Sequence, residues 1–174
     1  MAGYGDPLLR APESVLDDVQ QVRVSADAAE DVYGVVLRDG EVDVAATEER
    51  RAKLRRRRAS GAGLAGLTPI GTPGLGEVRR LDDNLAVLDS GVVACVHCGT
   101  GIGPLAGGAF VASLARRDAP PTEAGPHIWH DPFEYVDAEI VFRQLFCPGC
   151  LTAVHSRVVP VDHPLPVDEY RSWT

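Results

Sequence analysis

The stretch Phe142–Cys150, FRQLFCPGC, ends in two cysteines separated by two residues, and Ala94–Gly99, ACVHCG, contains a second such pair. Two intervening residues let one tight turn present both sulfurs to the same ion, and Zn²⁺ prefers tetrahedral thiolate ligation. Gly99 suits the left-handed backbone conformation that such a turn often needs. In a reducing compartment, paired cysteines favour a metal over disulfides. The pattern predicts one zinc ion held by Cys95, Cys98, Cys147 and Cys150.

The spacing of the two pairs is unusual, because 48 residues, 99–146, separate them. Common zinc ribbons place about 15 to 20 residues there, so we expect this insertion to loop out and return. Leu151 follows the second pair at a position where glycine is common. Four thiolates leave no open coordination position, which predicts a structural ion rather than a catalytic one. Two alternatives are reduced thiols without metal and a thioredoxin-like redox pair, which would need a βαβ context.

The residues around both pairs predict a β-rich, zinc-ribbon-like module over 77–174. Strands are expected before the first pair, on entry to the second and on exit from it: Leu85–Leu88, Val92–Ala94, Ala138–Phe146 and Thr152–Val159. Val, Ile, Phe and Thr are enriched there, as in most strands. The Pro-rich stretch around 118–132 and the C-terminal tail are expected to be irregular or extended.

The first 58 residues predict short helices and one strand. Helices are expected over Glu13–Gln21, over Ala26–Val32 after a Ser25 cap, and after an Asp43 cap; a strand is expected over Tyr33–Leu37, followed by an Asp39–Gly40 turn. Residues 59–76 hold six glycines and two prolines without a period, which is typical of a linker. The predicted class is therefore α+β, with segments 1–58, 59–76 and 77–174.

The charge distribution is uneven. The net charge is −8, yet seven of the 17 Lys and Arg residues lie between Arg50 and Arg58. This run predicts either a docking surface for an acidic partner or a solvated helix end. The acidic remainder argues against general nucleic-acid binding.

The sequence shows no sign of export or membrane insertion. No apolar stretch is long enough to span a bilayer, and the N-terminal MAGYGDPLLR lacks the pattern of a secretory signal. We therefore expect a cytoplasmic protein without a membrane partner.

Other potential chemistry is weaker. His127, His130 and Asp131 lie close together in sequence and could form a second metal or proton-transfer site, but no third ligand lies at a diagnostic spacing. His97 and His155 are not expected to replace a cysteine ligand. No Ser/His/Asp or Cys/His set supports a catalytic site, so no catalytic residue is predicted.

Two parts of the chain resemble known families. Phe142–Cys150 together with Cys95–Gly99 resembles the small zinc-binding gamma subunit of acetone and acetophenone carboxylases, with Leu151 as a departure. Gly3–Pro7, Val32–Leu37 and the following arginine run resemble the extreme C-terminus of the hydantoinase B/oxoprolinase large subunit. The resemblance implies a large-subunit tail fused to a gamma-type zinc module.

These resemblances imply a function for the chain. In such complexes, ATP, other metal ions and substrate bind to hydantoinase A-like and hydantoinase B-like large subunits, and the gamma subunit is non-catalytic. The chain would then be an accessory subunit of a hetero-oligomeric enzyme. That enzyme would be either an ATP-dependent carboxylase, which belongs to the ligase class, or a hydantoinase-type amidohydrolase. Two other interpretations are a stand-alone zinc ribbon that binds nucleic acid or protein through Arg50–Arg58, and a small metalloenzyme.

Overall fold

The computed structural model describes residues 5–60, 78–125, 128, 130 and 132–171. The chain divides into two compact units, Met1–Ser60 and Gly61–Thr174. Helices predominate in the first unit and antiparallel strands in the second, which confirms the predicted α+β class. Residues 61–76 of the predicted linker lie outside the described residues.

Three helices form most of the first unit. They are α1 (Pro12–Gln20), α2 (Ala26–Asp31) and α3 (Val44–Ala59). The Ser25 hydroxyl accepts the N–H of Ala28 at 3.1 Å, and the Asp43 carboxylate accepts the N–H of Ala46 at 2.9 Å. Both predicted caps are therefore confirmed, since each satisfies a helix N–H that has no partner within the helix.

The predicted strand over Tyr33–Leu37 is wrong for most of its length. Strand β1 covers only Leu37–Arg38 and pairs with β2, Glu41–Val42. The preceding backbone is engaged elsewhere, because the N–H of Val35 binds the Ala29 carbonyl at 2.8 Å and the N–H of Val36 binds the Thr47 hydroxyl at 3.0 Å. These bonds attach the segment to α2 and α3 and leave little backbone free for a ladder.

The predicted Asp39–Gly40 turn closes this short hairpin. Asp39 has a φ of 51° and Gly40 a φ of 84°. Two successive left-handed residues are the backbone that a tight two-residue hairpin requires, and Asp and Gly tolerate it well. The side chains packed together beside the hairpin form a small apolar core around Val15, Ala29 and Val35.

The residue two positions after the end of α1 adopts a strained conformation. Val22 has a φ of 58° and is 90% exposed, while the N–H of Arg23 returns to the Asp18 carbonyl at 2.8 Å. Glycine usually occupies this helix-ending position, because a side chain there costs about 1–2 kcal/mol. Val22 makes few compensating contacts, so its conformation destabilises the first unit.

We therefore expect Val22→Gly to raise the free energy of unfolding of the first unit by about 1 kcal/mol, because relief of strain outweighs the added freedom of the unfolded chain. Urea unfolding followed by helical circular dichroism measures this change. Val24→Gly is the control: Val24 packs against the apolar core, so its loss should destabilise the unit. A lower stability of Val22→Gly would contradict the assignment of strain.

The second unit contains two antiparallel sheets. The four-stranded sheet has the order β3-β4-β5-β6, and the three-stranded sheet has the order β7-β8-β9. The strands are β3 (Val78–Arg80), β4 (Leu85–Leu88), β5 (Val92–Cys95), β6 (Gly101–Pro104), β7 (Ala115–Ala119), β8 (Ile140–Phe146) and β9 (Ala153–Pro160). Strands β4, β5, β8 and β9 match the predictions, whereas β3, β6 and β7 were not predicted.

One apolar core holds the second unit together. Its buried members include Leu85, Val93, Ile102, Phe110 and Leu145, and it also contains two of the cysteines. The described part of the tail, predicted to be extended, instead contains α4 (Val167–Arg171). The Tyr170 ring of this helix packs edge-on against Phe110, with ring centroids 4.9 Å apart. Among the described residues, no helix has the length and apolar character needed to cross a bilayer.

Candidate metal centre

The two cysteine pairs lie on turns with the same backbone hydrogen bonds. We call residues 95–100 the first knuckle and residues 147–152 the second. In the first knuckle, the N–H of Cys95 binds the Thr100 carbonyl at 2.9 Å, and the N–H of Gly99 binds the Cys95 carbonyl at 2.8 Å. The equivalent bonds of the second knuckle, Cys147 to Thr152 and Leu151 to Cys147, measure 2.9 and 3.0 Å. Each turn follows a strand that fixes its position, β5 or β8.

The residue after each second cysteine adopts a left-handed conformation. Gly99 has a φ of 71° and Leu151 a φ of 61°. The expectation for Gly99 is confirmed. Leu151 takes the same conformation although its side chain makes it costly, by about 1–2 kcal/mol. The departure from glycine at this position therefore changes the strain of the second knuckle without changing its shape.

The four cysteine sulfurs meet at one point. All of them lie within 4.8 Å of one another. The Cys95 and Cys150 sulfurs are 3.8 Å apart, and those of Cys98 and Cys147 are 3.7 Å apart. A tetrahedral ion with Zn–S bonds of about 2.3 Å places its sulfurs about 3.8 Å apart, whereas a disulfide needs about 2.0 Å. The arrangement could therefore hold a metal ion, and its donor set fits Zn²⁺.

The cysteines of the cluster differ in burial, and close contact shifts the pKa values of two of them in opposite directions. Cys95 and Cys147 are buried, whereas Cys98 and Cys150 are partly exposed. Hydrogen bonds with Cys147 and Cys150, together with burial, raise the pKa of Cys95. Hydrogen bonds from Cys147 and Cys95 lower the pKa of Cys150. These opposite shifts arise because the sulfurs lie close together, and a divalent cation bound among them would relieve the repulsion among four thiolates.

Close contact between the knuckles depends on Gly149. A Cβ atom at this position would lie 2.1 Å from Thr100 Oγ1 and 2.9 Å from Thr100 Cβ, far inside normal contact. The N–H of Gly149 also points to the Cys147 sulfur at 3.4 Å. Glycine at the third position of CPGC therefore permits the approach that brings the two pairs of sulfurs together.

Sequence reasoning missed two residues of this site. Thr100 Oγ1 lies 3.2 Å from the Cys98 sulfur, and Thr152 Oγ1 lies 3.2 Å from the Cys150 sulfur. Both threonines are buried. A signal was present, because each knuckle reads C-x-x-C-x-T, and aligning the two turns with each other would have found it.

Among the described histidines, the structure places His97, His130 and His155 outside the cysteine cluster. His97 is exposed, and its Nε2 lies 2.9 Å from Asn84 Oδ1. His155 lies in β9, where burial and nearby Arg157 lower its pKa. His130 is exposed beside Glu134, whereas His127 and Asp131 lie outside the described residues. Within the described part of the chain, the cysteine cluster is the one group of three or more close potential ligands.

The basic run lies on α3 and is divided between two roles. Three of its arginines bind within the first unit: Arg50 to Asp31 Oδ1 (2.6 Å), Arg51 to the Tyr33 carbonyl (3.1 Å) and Arg58 to Asp6 Oδ1 (2.7 Å). Lys53, Arg56 and Arg57 are exposed. The surface available for docking is therefore narrower than the run of charges in the sequence.

Comparisons with known proteins connect part of the chain to two large subunits. No family model matches it. It is 44% identical over 61 residues to the acetone carboxylase alpha subunit of Xanthobacter autotrophicus and 51% identical over 51 residues to caprolactamase subunit beta of Pseudomonas jessenii. These matches cover 32% and 29% of this chain but 8% and 9% of the relatives. The chain therefore spans less than a tenth of the length of either curated relative.

Proposed function

We propose that the chain is a non-catalytic, zinc-binding small subunit of a multi-subunit, ATP-dependent ketone carboxylase-like complex of the hydantoinase/oxoprolinase superfamily. The observation that carries the proposal is the size of the matched regions. They span 61 and 51 residues, about a third of this chain, yet they are less than a tenth of each relative. We propose that the matched part lies within residues 1–58 and completes the large subunit of the complex in trans.

The second unit supports the same role. We propose that residues 77–174 form a gamma-type module in which Cys95, Cys98, Cys147 and Cys150 hold one structural Zn²⁺. Four thiolates fill a tetrahedral ion and leave no position for substrate. Binding of ATP, catalytic metal ions and substrate is accordingly assigned to the hydantoinase A-like and hydantoinase B-like partners. A thiolate site of this kind suits a reducing cytoplasm, where we expect the complex to work.

The exposed face of α3 supplies a contact for a partner. Lys53, Arg56 and Arg57 are spaced i, i+3 and i+4, so they lie along one side of the helix. The internal bonds of Arg50, Arg51 and Arg58 hold the helix against its own unit. We propose that the exposed stripe docks on an acidic surface of a large subunit, where opposite charges accelerate and orient association.

This proposal predicts stoichiometric assembly. An affinity-tagged chain purified from its source cells should bring down one hydantoinase A-like and one hydantoinase B-like subunit, identified by mass spectrometry. Combined Lys53→Glu, Arg56→Glu and Arg57→Glu should weaken this assembly at least about tenfold without lowering zinc content or thermal stability, because the residues are exposed.

Arg23→Glu provides a control, since it reverses a charge on another exposed part of the same unit and should leave assembly intact. A chain that remains alone in the presence of both large subunits would contradict the proposal. Salt-dependent binding of the chain to random DNA would instead favour the nucleic-acid alternative.

A further inference from the structure

We propose that Thr100 and Thr152 are positioning residues of the metal site, each donating its hydroxyl proton to the thiolate of the second cysteine in its own knuckle. The relevant distances are 3.2 Å from Thr100 Oγ1 to Cys98 Sγ and 3.2 Å from Thr152 Oγ1 to Cys150 Sγ. The inference rests on the four-thiolate centre of the proposed function. It adds two residues that do not bind the ion but control the sulfurs that do.

The direction of these hydrogen bonds follows from the chemistry of the groups. A metal-bound thiolate has no proton, so it can only accept, whereas a threonine hydroxyl has one proton to donate. Thr100 is 8% exposed and Thr152 is 1% exposed, so neither hydroxyl can rely on solvent for a partner. A buried hydroxyl without a partner costs about 1–3 kcal/mol, which favours the O–H···S bond at both positions.

The two threonines support the sulfurs that need support most. Cys98 and Cys150 are the partly exposed pair, whereas Cys95 and Cys147 lie in the core. Four thiolates around Zn²⁺ carry a net charge of about −2, and hydrogen-bond donors spread that charge and orient the ligands. Donors on the exposed sulfurs therefore oppose attack by protons, chelators and electrophiles where access is easiest.

Packing fixes the first threonine in place. The missing side chain of Gly149 leaves the space into which Thr100 projects. Residue 149 belongs to the second knuckle, so contact between the knuckles sets the orientation of the donor in the first. The carbonyl of each threonine also accepts the N–H of the first cysteine of its knuckle, at 2.9 Å in both cases. Each threonine thus braces both cysteines of its pair.

The test uses the full chain with isosteric substitutions. Thr100→Val and Thr152→Val should each weaken zinc binding about 10- to 100-fold in competition with a chelator, as loss of such supporting groups typically does. In the Co²⁺-substituted chain, each should shift the sulfur-to-cobalt charge-transfer absorption, because a sulfur that loses a donor becomes more electron-rich. Thr100→Ser and Thr152→Ser keep the hydroxyl and should restore both readouts.

Thr47→Val is the matched control, since Thr47 is 2% exposed and its hydroxyl binds a backbone N–H in the first unit. It should leave zinc affinity and the cobalt spectrum unchanged. Valine variants with the wild-type affinity and spectrum would overturn the inference, as would serine variants that fail to restore them. If a valine variant does not fold, Thr→Ala at the same position gives the same comparison.

These outcomes are distinguishable from failure of the proposed function. A wild-type chain that binds no zinc would remove the metal site itself. Wild-type and valine-substituted chains that bind zinc equally well would remove only the role of the threonines. Failure to assemble with large subunits would affect neither result.

Discussion

Cys147→Ser should yield a chain with no bound zinc and a second unit that no longer unfolds cooperatively. Cys147 is fully buried within the main apolar core, where a serine hydroxyl is a poor ligand for a thiolate-bound ion. Structural zinc contributes about 10–16 kcal/mol of apparent binding free energy, which is also folding free energy. A domain of ordinary stability, about 5–15 kcal/mol, cannot lose that contribution and remain folded.

Elemental analysis and thermal unfolding together measure this effect. Cys95→Ser should behave in the same way, and a strong chelator should reproduce the loss in the wild-type chain. The helical signal of the first unit provides an internal control, because all four cysteines lie in the second unit. A Cys147→Ser chain that retains zinc and the wild-type unfolding temperature would contradict the proposed site.

Arg143→Met should destabilise the second unit by about 2–3 kcal/mol, because it leaves two carbonyls without their charged donor and leaves the Asp118 carboxylate with Arg116 alone. Arg143 is 3% exposed in the central strand β8. Its Nε and Nη2 bind the Asp118 carboxylate at 2.9 and 3.0 Å, and its Nη2 also binds the Val161 carbonyl at 2.7 Å. Nη1 binds the His163 carbonyl, so one guanidinium joins β7 to the segment after β9.

Arg116→Met is the matched control for this prediction. Arg116 binds the same Asp118 carboxylate, but its side chain is 44% exposed, so its loss should cost less than about 1 kcal/mol. Burial alone would raise the pKa of Asp118, but hydrogen bonds from Arg143 and Arg116 lower that pKa to about 2. Chemical unfolding at neutral pH with zinc present compares the two variants. Equal losses of unfolding free energy in the two variants would show that burial of Arg143 does not make its ion pair with Asp118 more stabilising.

Strands with an ordinary apolar composition could be predicted from sequence, whereas those stabilised by their neighbours could not. β8 and β9 are rich in β-branched and aromatic residues, which favour a pleated surface. β6 reads Gly-Ile-Gly-Pro and β7 reads Ala-Arg-Arg-Asp-Ala, so neither shows the usual pattern. Burial of Ile102 and the Asp118–Arg143 ion pair make these segments strands, and both causes depend on distant parts of the chain.

The insertion between the cysteine pairs and the C-terminal tail show the same limit. The insertion, expected to loop out, contributes β6 and β7 and so completes both sheets. The tail was expected to be extended because of its prolines, yet Tyr170 packs on Phe110 and the last described residues form α4. In both cases a long-range contact outweighs a local preference.

Local spacing was more informative about the site. Two residues between paired cysteines determine a turn, so the convergence of four sulfurs could be anticipated without knowing the sheets. The threonines were missed because a hydroxyl two residues after a cysteine has no meaning until the knuckle folds it back onto the sulfur. The need for Gly149 was hidden for a related reason, since its close neighbour Thr100 lies 49 residues earlier in the chain.

Native mass spectrometry of the full chain under reducing conditions measures directly whether the four cysteines hold one zinc ion. We predict the mass of the chain plus one zinc ion, with all four cysteines protected from alkylation until a chelator removes the metal. A folded chain that carries no metal and is alkylated at all four cysteines would contradict the account.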